Sequence, residues 1–343
     1  MNVNKKLLSF RYKKNFLLNR NKRKKNKFTL HKNNIGSHIS CPICSGVEGY
    51  LISEVDRMGF PCDTVICKKC DFVFNNSYIS NPNEFYETHF GADRWGDPEI
   101  NFMKRTSSDS FSWKRFSFLL NKLNSKFTEI EKILEIGCGD GCNLMPYHLI
   151  GKSVSGCDFS LPFLEPGLKR GLNLIHGNID SIKEESDFDL IMLIHSFEHV
   201  MDLDTTVQSV SKRLRTRGYV FVEVPGIVGW NQTREKSLKE MGLVSSNNFL
   251  QYLQFEHNYH FSLKHLKLIW ERNGFELVYG DEWVRAIFRK KDNNKLLNDV
   301  KLDKNLSNTL DHLIIVEKDF LKFTNLLFGF GRKIIRKFTS NNL

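Results

Sequence analysis

The sequence predicts an α/β fold built on a mainly parallel sheet, and three observations carry that prediction. From Ile130 onward, short apolar runs alternate with amphipathic segments, the pattern left by strands joined through crossover helices. One run, Ile133-Leu134-Glu135-Ile136, passes directly into the glycine-rich turn Gly137-Cys138-Gly139-Asp140-Gly141. Ahead of this region, two Cys-x-x-Cys pairs, Cys41/Cys44 and Cys67/Cys70, mark a separate small unit.

Taken in order, residues 1–38 are rich in Lys, Asn and Arg without a sustained apolar stripe, which predicts a mobile basic arm. Residues 39–75 form the cysteine unit, and residues 76–128 an aromatic linker and helical lead-in, with a helix near residues 113–123. The α/β domain occupies residues 129–291. Strands are expected near residues 132–136, 153–157, 173–176, 188–194, 219–224, 275–279 and 284–289, with helices between them. Residues 226–261 break this rhythm with a long polar and aromatic insertion, and long connections in α/β enzymes are often functional. The insertion is expected to cover the substrate. Residues 292–343 read as a helical, basic tail that packs on the domain, on a second subunit or on a membrane surface.

The chain has 50 Lys and Arg against 39 Asp and Glu, a formal charge of +11. That charge sits at the ends. Twelve basic residues precede the first acidic one, Glu48, and 12 basic against 6 acidic residues follow from Arg289 onward. The middle, residues 48–288, holds 26 basic against 33 acidic side chains, which argues against a nucleic-acid-binding face. The basic ends suit peripheral contact with an anionic membrane. No apolar run approaches the roughly 18–20 residues of a membrane-spanning helix, and the N-terminal apolar stretches are too short for a signal peptide. The expectation is a cytoplasmic protein, peripheral at most at the inner face of a membrane, with reduced cysteines.

The two cysteine pairs, with 22 residues between Cys44 and Cys67, match a structural Zn2+ site in which Cys41, Cys44, Cys67 and Cys70 fill four tetrahedral positions. Cys62 is a spare thiol, and Cys138, Cys142 and Cys157 lie too deep in the α/β pattern to join. The glycine turn lacks the final glycine of a dinucleotide fingerprint, since Cys142 stands there, and it lacks the Gly-Lys-Ser/Thr of a phosphate loop. Asp158 follows the second strand where a carboxylate can accept ribose hydroxyls, or cap a helix. Asn178 and Ile179 follow the third, where they can bracket a base, or form a turn.

Together these residues resemble the class I S-adenosylmethionine-dependent methyltransferases over roughly residues 110–290. The likeness includes the glycine loop, Asp158, Asn178-Ile179, the run from Asp187 through His195, Glu198 and His199 to Asp202, and Arg217-Gly218 leading to Pro225, where one glycine of a usual pair is Arg217. It implies a Rossmann-like seven-stranded sheet of order 3-2-1-4-5-7-6 with the last strand antiparallel. It also implies S-adenosylmethionine as cofactor, held by Glu135, Gly137, Gly139, Gly141, Asp158, Asn178, Ile179 and His195. Asn178 stands where many members carry Asp.

Glu256-His257 with Phe261-Ser262-Leu263, behind a four-cysteine unit, is further similar to sugar C-methyltransferases and related enzymes of surface-polysaccharide and secondary-metabolite pathways. Gln254 departs from their pattern, in which an aromatic residue is expected. The resemblance implies C- or O-methylation of a small molecule or sugar. His257 would be the general base, suited by an unperturbed pKa of about 6.5, Glu256 would orient it and His199 would bind substrate. Tyr259, Trp230 and Arg234 are candidate partners for the developing oxyanion. Two alternatives are a zinc-containing RNA methyltransferase and a non-catalytic cofactor-binding scaffold. The Asn/Asp-Pro-Pro-aromatic motif of amino-methylating nucleic-acid enzymes is absent, with Ile194-His195-Ser196-Phe197 in its place.

Overall fold

The structure, a computed structural model, describes residues 2–4, 35–56, 61–79, 96–182, 187–229, 249, 252–292 and 308–320. Most of the expected basic arm, Trp230 and Arg234, and the tail beyond residue 320 lie outside the described residues. Six short strands come first: β1 (Asn2–Asn4), β2 (Ile35–Ser37), β3 (Glu48–Val55), β4 (Pro61–Cys67), β5 (Val73–Asn75) and β6 (Ser77–Ile79). Strands β3, β4 and β5 pair antiparallel.

Helices α1 (Pro98–Thr106) and α2 (Phe111–Leu123) lead into the second part. There β7 (Lys132–Ile136), α3 (Met145–Leu149), β8 (Ser153–Asp158), α4 (Leu161–Leu168), β9 (Asn173–His176) and β10 (Phe188–Ile194) follow in turn. Next come α5 (Leu203–Arg213), β11 (Leu214–Glu223), β12 (Tyr259–His260), α6 (Leu263–Arg272), β13 (Phe275–Gly280), β14 (Arg285–Lys290) and α7 (Thr309–Phe320). Seven strands join in the order β9-β8-β7-β10-β11-β14-β13. Counted from β7 as strand one this is 3-2-1-4-5-7-6, with β14 antiparallel to β11. Every residue of β10 is buried, as a central parallel strand covered on both faces requires.

Strand β11 starts at Leu214, earlier than the sequence suggests. Phe188 pairs with Leu214 but Leu190 pairs with Tyr219, so the four residues 215–218 stand against the single Asp189 and bulge from the ladder. Arg217 there takes a φ of 63°, a region that favours glycine. Arg215-Thr216-Arg217-Gly218 has no apolar alternation, so periodicity cannot find this part of the strand.

One face of the large sheet packs on α2, α3 and α4 through Leu119, Leu123, Tyr147 and Leu164. The other packs on α5 and α6, where the fully buried Trp270 lies 5.0–5.5 Å from the rings of Phe197, Phe275 and Phe288. That second core is continuous with the cysteine unit, since Cys41, Cys67, Cys70, Phe72 and Phe74 belong to the same cluster as Trp270.

Two polar joints lock the parts together. Asp71, just after the last cysteine, pairs with Lys264 at 2.7 Å and accepts from the Thr309 amide at 2.7 Å, while His265 Nε2 contacts the Cys70 carbonyl at 2.8 Å. Strand β5 extends its sheet by pairing with β12, Phe74 opposite Tyr259 and Val73 opposite His260. At the end of β5, the Asn75 side chain is fully buried and its Nδ2 donates to the carbonyls of Gln254, Phe255 and His257 at 3.0, 3.3 and 2.7 Å. Thr64 Oγ1 holds the Asn75 Oδ1 from the other side at 2.8 Å. Replacing Asn75 by Ala strands these buried groups, each costing about 1–3 kcal/mol. The expected loss is about 3 kcal/mol in urea-unfolding stability, and a loss below about 0.5 kcal/mol contradicts this role.

Candidate active site

The glycine turn crosses the C-terminal ends of β7 and β8, where ligands of open α/β sheets bind. Gly137 has a φ of +71°, and a Cβ there would stand 2.6 Å from Ser196 Cβ. Gly139 has a φ of +54°, and nothing lies within 4 Å of where its Cβ would be, which leaves the backbone open to close approach by a ligand. Asp158 accepts the Gly139 amide at 2.8 Å and the Ser160 amide at 2.9 Å. One carboxylate thus closes the glycine turn and serves the start of α4, and burial raises its pKa despite those donors. Asn178 Oδ1 accepts from the Asp180 amide at 2.9 Å, as a turn residue does, while Ile179 is buried beside it.

Behind the turn runs a chain of charged groups. Glu135 is buried in β7 and accepts from Asn143 at 2.7 Å, yet its Oε2 has no hydrogen-bond partner among the described residues. Burial pushes its pKa up to about 8, against the opposing pull of Asn143 and Arg115. Arg115 on α2 bonds Asn143 at 3.3 Å and Glu223, at the end of β11, at 3.0 and 2.5 Å. Glu223 lies 3.4 Å from His195 Nε2, and Glu198 3.6 Å from His195 Nδ1. Burial lowers the His195 pKa, but the two carboxylates outweigh it and hold it at about 9. Burial would raise Glu223; His195 and Arg115 bring it down to about 2. His195 is therefore an imidazolium at neutral pH, with a φ of 51° that turns it out at the end of β10.

Next to it, Glu198, His199 and His257 converge. The Glu198 carboxylate is 1 % exposed, and neither of its oxygens has a hydrogen-bond partner among the described residues. His199 Nδ1 contacts the Glu256 carbonyl at 2.8 Å, and its Nε2 lies 3.8 Å from Glu198. The His199 and His257 rings meet edge to face with centroids 4.8 Å apart. Asn258 donates to the carbonyls of His199 and Val200, and Tyr259 donates its hydroxyl to Met201. Tyr259 is thus committed to the backbone and buried, which removes it as an oxyanion partner. His260 is buried too, and burial drops its pKa to about 3. Glu256 reaches the site through its carbonyl on His199.

The four paired cysteines come together at the edge of the second core. Sγ atoms of Cys41 and Cys70 are 3.6 Å apart, and those of Cys44 and Cys67 3.5 Å. A tetrahedron of sulfurs at about 2.3 Å from one ion has edges of about 3.8 Å, so the thiols fit a metal. Both turns have the same backbone form: Ser45 and Asp71 take φ values of 56° and 54°, and each donates its amide to the first cysteine's carbonyl. Cys62, Cys138, Cys142 and Cys157 are buried elsewhere.

Sequence reasoning missed Arg115, Glu223 and Asn75, and gave Glu198 no role of its own. A lone charge inside the apolar run Val220-Phe221-Val222-Glu223-Val224, and an Arg inside an aromatic helix, were the available signals.

The family described as a methyltransferase domain matches residues 110–279. The ubiquinone biosynthesis O-methyltransferase of Vibrio cholerae is 28% identical over 151 residues, covering 41% of this chain and 59% of that protein. The malonyl-[acyl-carrier protein] O-methyltransferase of Calditerrivibrio nitroreducens is 27% identical over 153 residues, covering 44% and 58%. The chain thus spans somewhat over half the length of these curated relatives. A solved amino pentose methyltransferase from Micromonospora echinaspora, CalS10, aligns at 17% identity over 37% of this chain and 55% of its own, with a TM-score of 0.32. With the glycine turn, the sheet order and this family match in hand, residues 110–279 are a class I S-adenosylmethionine-dependent methyltransferase domain.

Proposed function

We propose that the protein transfers the methyl group of S-adenosylmethionine to a hydroxyl of a small molecule or carbohydrate, with a structural Zn2+ held by Cys41, Cys44, Cys67 and Cys70. The observation that carries this reading is the convergence of Glu198, His199 and His257, two of them in the loop whose Ser196 packs on Gly137 of the glycine turn. The sulfonium is already a strong electrophile, so the chain has to hold the acceptor in line and deal with its proton. His257 is the candidate base, and His199, held by the Glu256 carbonyl, binds the acceptor. The two matched relatives are named O-methyltransferases, which favours an oxygen acceptor. The acidic middle of the chain favours a small acceptor over RNA.

Glu135, with its unpartnered oxygen, is the group we assign to the cofactor's ammonium, alongside Gly137, Gly139, Gly141 and Asp158 along its backbone and ribose. Asn178, Ile179 and His195 line the remainder. Carboxylates suit a cofactor that carries a sulfonium and an ammonium, since opposite charge stabilises the ionised form.

His257→Gln should lower turnover at least about 100-fold, the lower range for a lost acid or base, while leaving S-adenosylhomocysteine binding by calorimetry unchanged. Wild-type turnover in that variant sinks the assignment. A second test uses pH. Glu135 must lose its proton to meet the ammonium, and its pKa is about 8. Affinity for S-adenosylhomocysteine should therefore weaken by about tenfold per pH unit below 8, with close to one proton released on binding at pH 7. In Glu135→Gln the dependence should flatten. Affinity that is constant from about pH 6 to 9 in the wild type contradicts the contact.

A further inference from the structure

We propose that Glu198, His199 and His257 form a second metal site, which takes a divalent transition-metal ion and presents it to the acceptor oxygen. The proposal rests on the methyl-transfer reading of this site and refines how the proton is lost.

The donor set is one carboxylate and two imidazoles, whose ligand atoms all lie within 4.8 Å of one another. Donors at about 2.1 Å from a common ion stand about 3–4 Å apart, so Glu198 and His199, at 3.8 Å, are already in range and His257 has only a short distance to close. Two further observations point to a cation. The first is Glu198, a buried carboxylate whose two oxygens have no hydrogen-bond partner among the described residues. Burying such a group is costly unless an opposite charge meets it. The imidazolium of His195 pairs with Glu198 at 3.6 Å and is shared with Glu223; it offsets part of the charge but is too far to fill the hydrogen-bonding capacity of either Glu198 oxygen. The second is the contact of His199 Nδ1 with the Glu256 carbonyl at 2.8 Å. A backbone carbonyl there fixes the proton on Nδ1 and turns the Nε2 lone pair toward Glu198, the usual support of a metal-binding histidine.

The ligands also select the ion. Two imidazoles and a single carboxylate disfavour Mg2+ and Ca2+, which want oxygen ligands, and suit Mn2+, Fe2+, Co2+ or Zn2+. Three protein ligands leave open positions for the acceptor. A hydroxyl bound there is acidified and gives its proton to water. Its oxygen lone pair then forms the new O–C bond while the C–S bond breaks and the sulfur keeps that pair, leaving S-adenosylhomocysteine. In this form His257 is a ligand, and a free imidazole base is not needed.

Mn2+ is a suitable probe because it binds thiolates poorly and leaves the four-cysteine site to its own ion. Full-length protein titrated with Mn2+ and followed by electron paramagnetic resonance should bind one ion per chain saturably. Glu198→Gln and His257→Ala should each weaken that binding at least about tenfold, with circular dichroism and S-adenosylhomocysteine binding retained. Saturable Mn2+ binding that either variant leaves unchanged, or no saturable binding in a wild-type protein that still binds S-adenosylhomocysteine, overturns the metal site and leaves methyl transfer standing. Loss of both Mn2+ and S-adenosylhomocysteine binding in the wild type overturns the methyl-transfer reading together with it.

Discussion

The side-chain amide of Asn75 is the interaction on which the site depends. Residues 252–258 carry almost no regular structure, yet most are buried, and a buried irregular segment must find partners for its peptide groups. Asn75 supplies three of them at once, and the pairing of β5 with β12 supplies the next. On the opposite side, Asn258 and Tyr259 bind the turn at residues 199–201. His257 therefore sits on a segment clamped between the cysteine unit and the end of β10. The cysteine unit packs against the segment that carries His257, and its shared core with α6 makes the two parts one packed body.

Electrostatics follow the same arrangement. The chain's +11 is a property of its ends, whereas the site gathers Glu135, Asp158, Glu198 and Glu223, with Arg115 and His195 pairing Glu223 and His195 also facing Glu198. Their coupling decides the protonation states: Glu135 lies buried with little compensation and holds its proton to about pH 8, while Glu223, between Arg115 and His195, gives its proton up at about 2. Two carboxylates at one end of the sheet with pKa values pushed apart are suited to different tasks.

Much of the sheet was legible in the sequence because its signals are local. Period and apolar runs marked all seven strands, and the glycine turn announced its own backbone form, with three glycines at positive φ. The start of β11 was not legible, because the bulge at Arg217 is set by its neighbours rather than by alternation. Of the site, Glu135, Asp158, His195, His199 and His257 were picked out by position after strands or by motif, and the structure gathers them at one end of the sheet. Arg115 and Glu223 pair with each other across 108 residues, and Asn75 reaches the Gln254 carbonyl across 179; no local pattern records such a pairing. Glu256 adds a contact that no side-chain motif encodes, since it meets His199 through its carbonyl.

The central claim is that the cysteine unit holds the His257 segment in place. Amide hydrogen exchange on the full chain, before and after treatment with a strong metal chelator, tests it most directly. Residues 254–260 should lose protection together with residues 61–75, while β10 stays slow to exchange. If residues 61–75 become exchangeable and residues 254–260 keep their protection, the segment is held by the methyltransferase domain alone and the account is wrong.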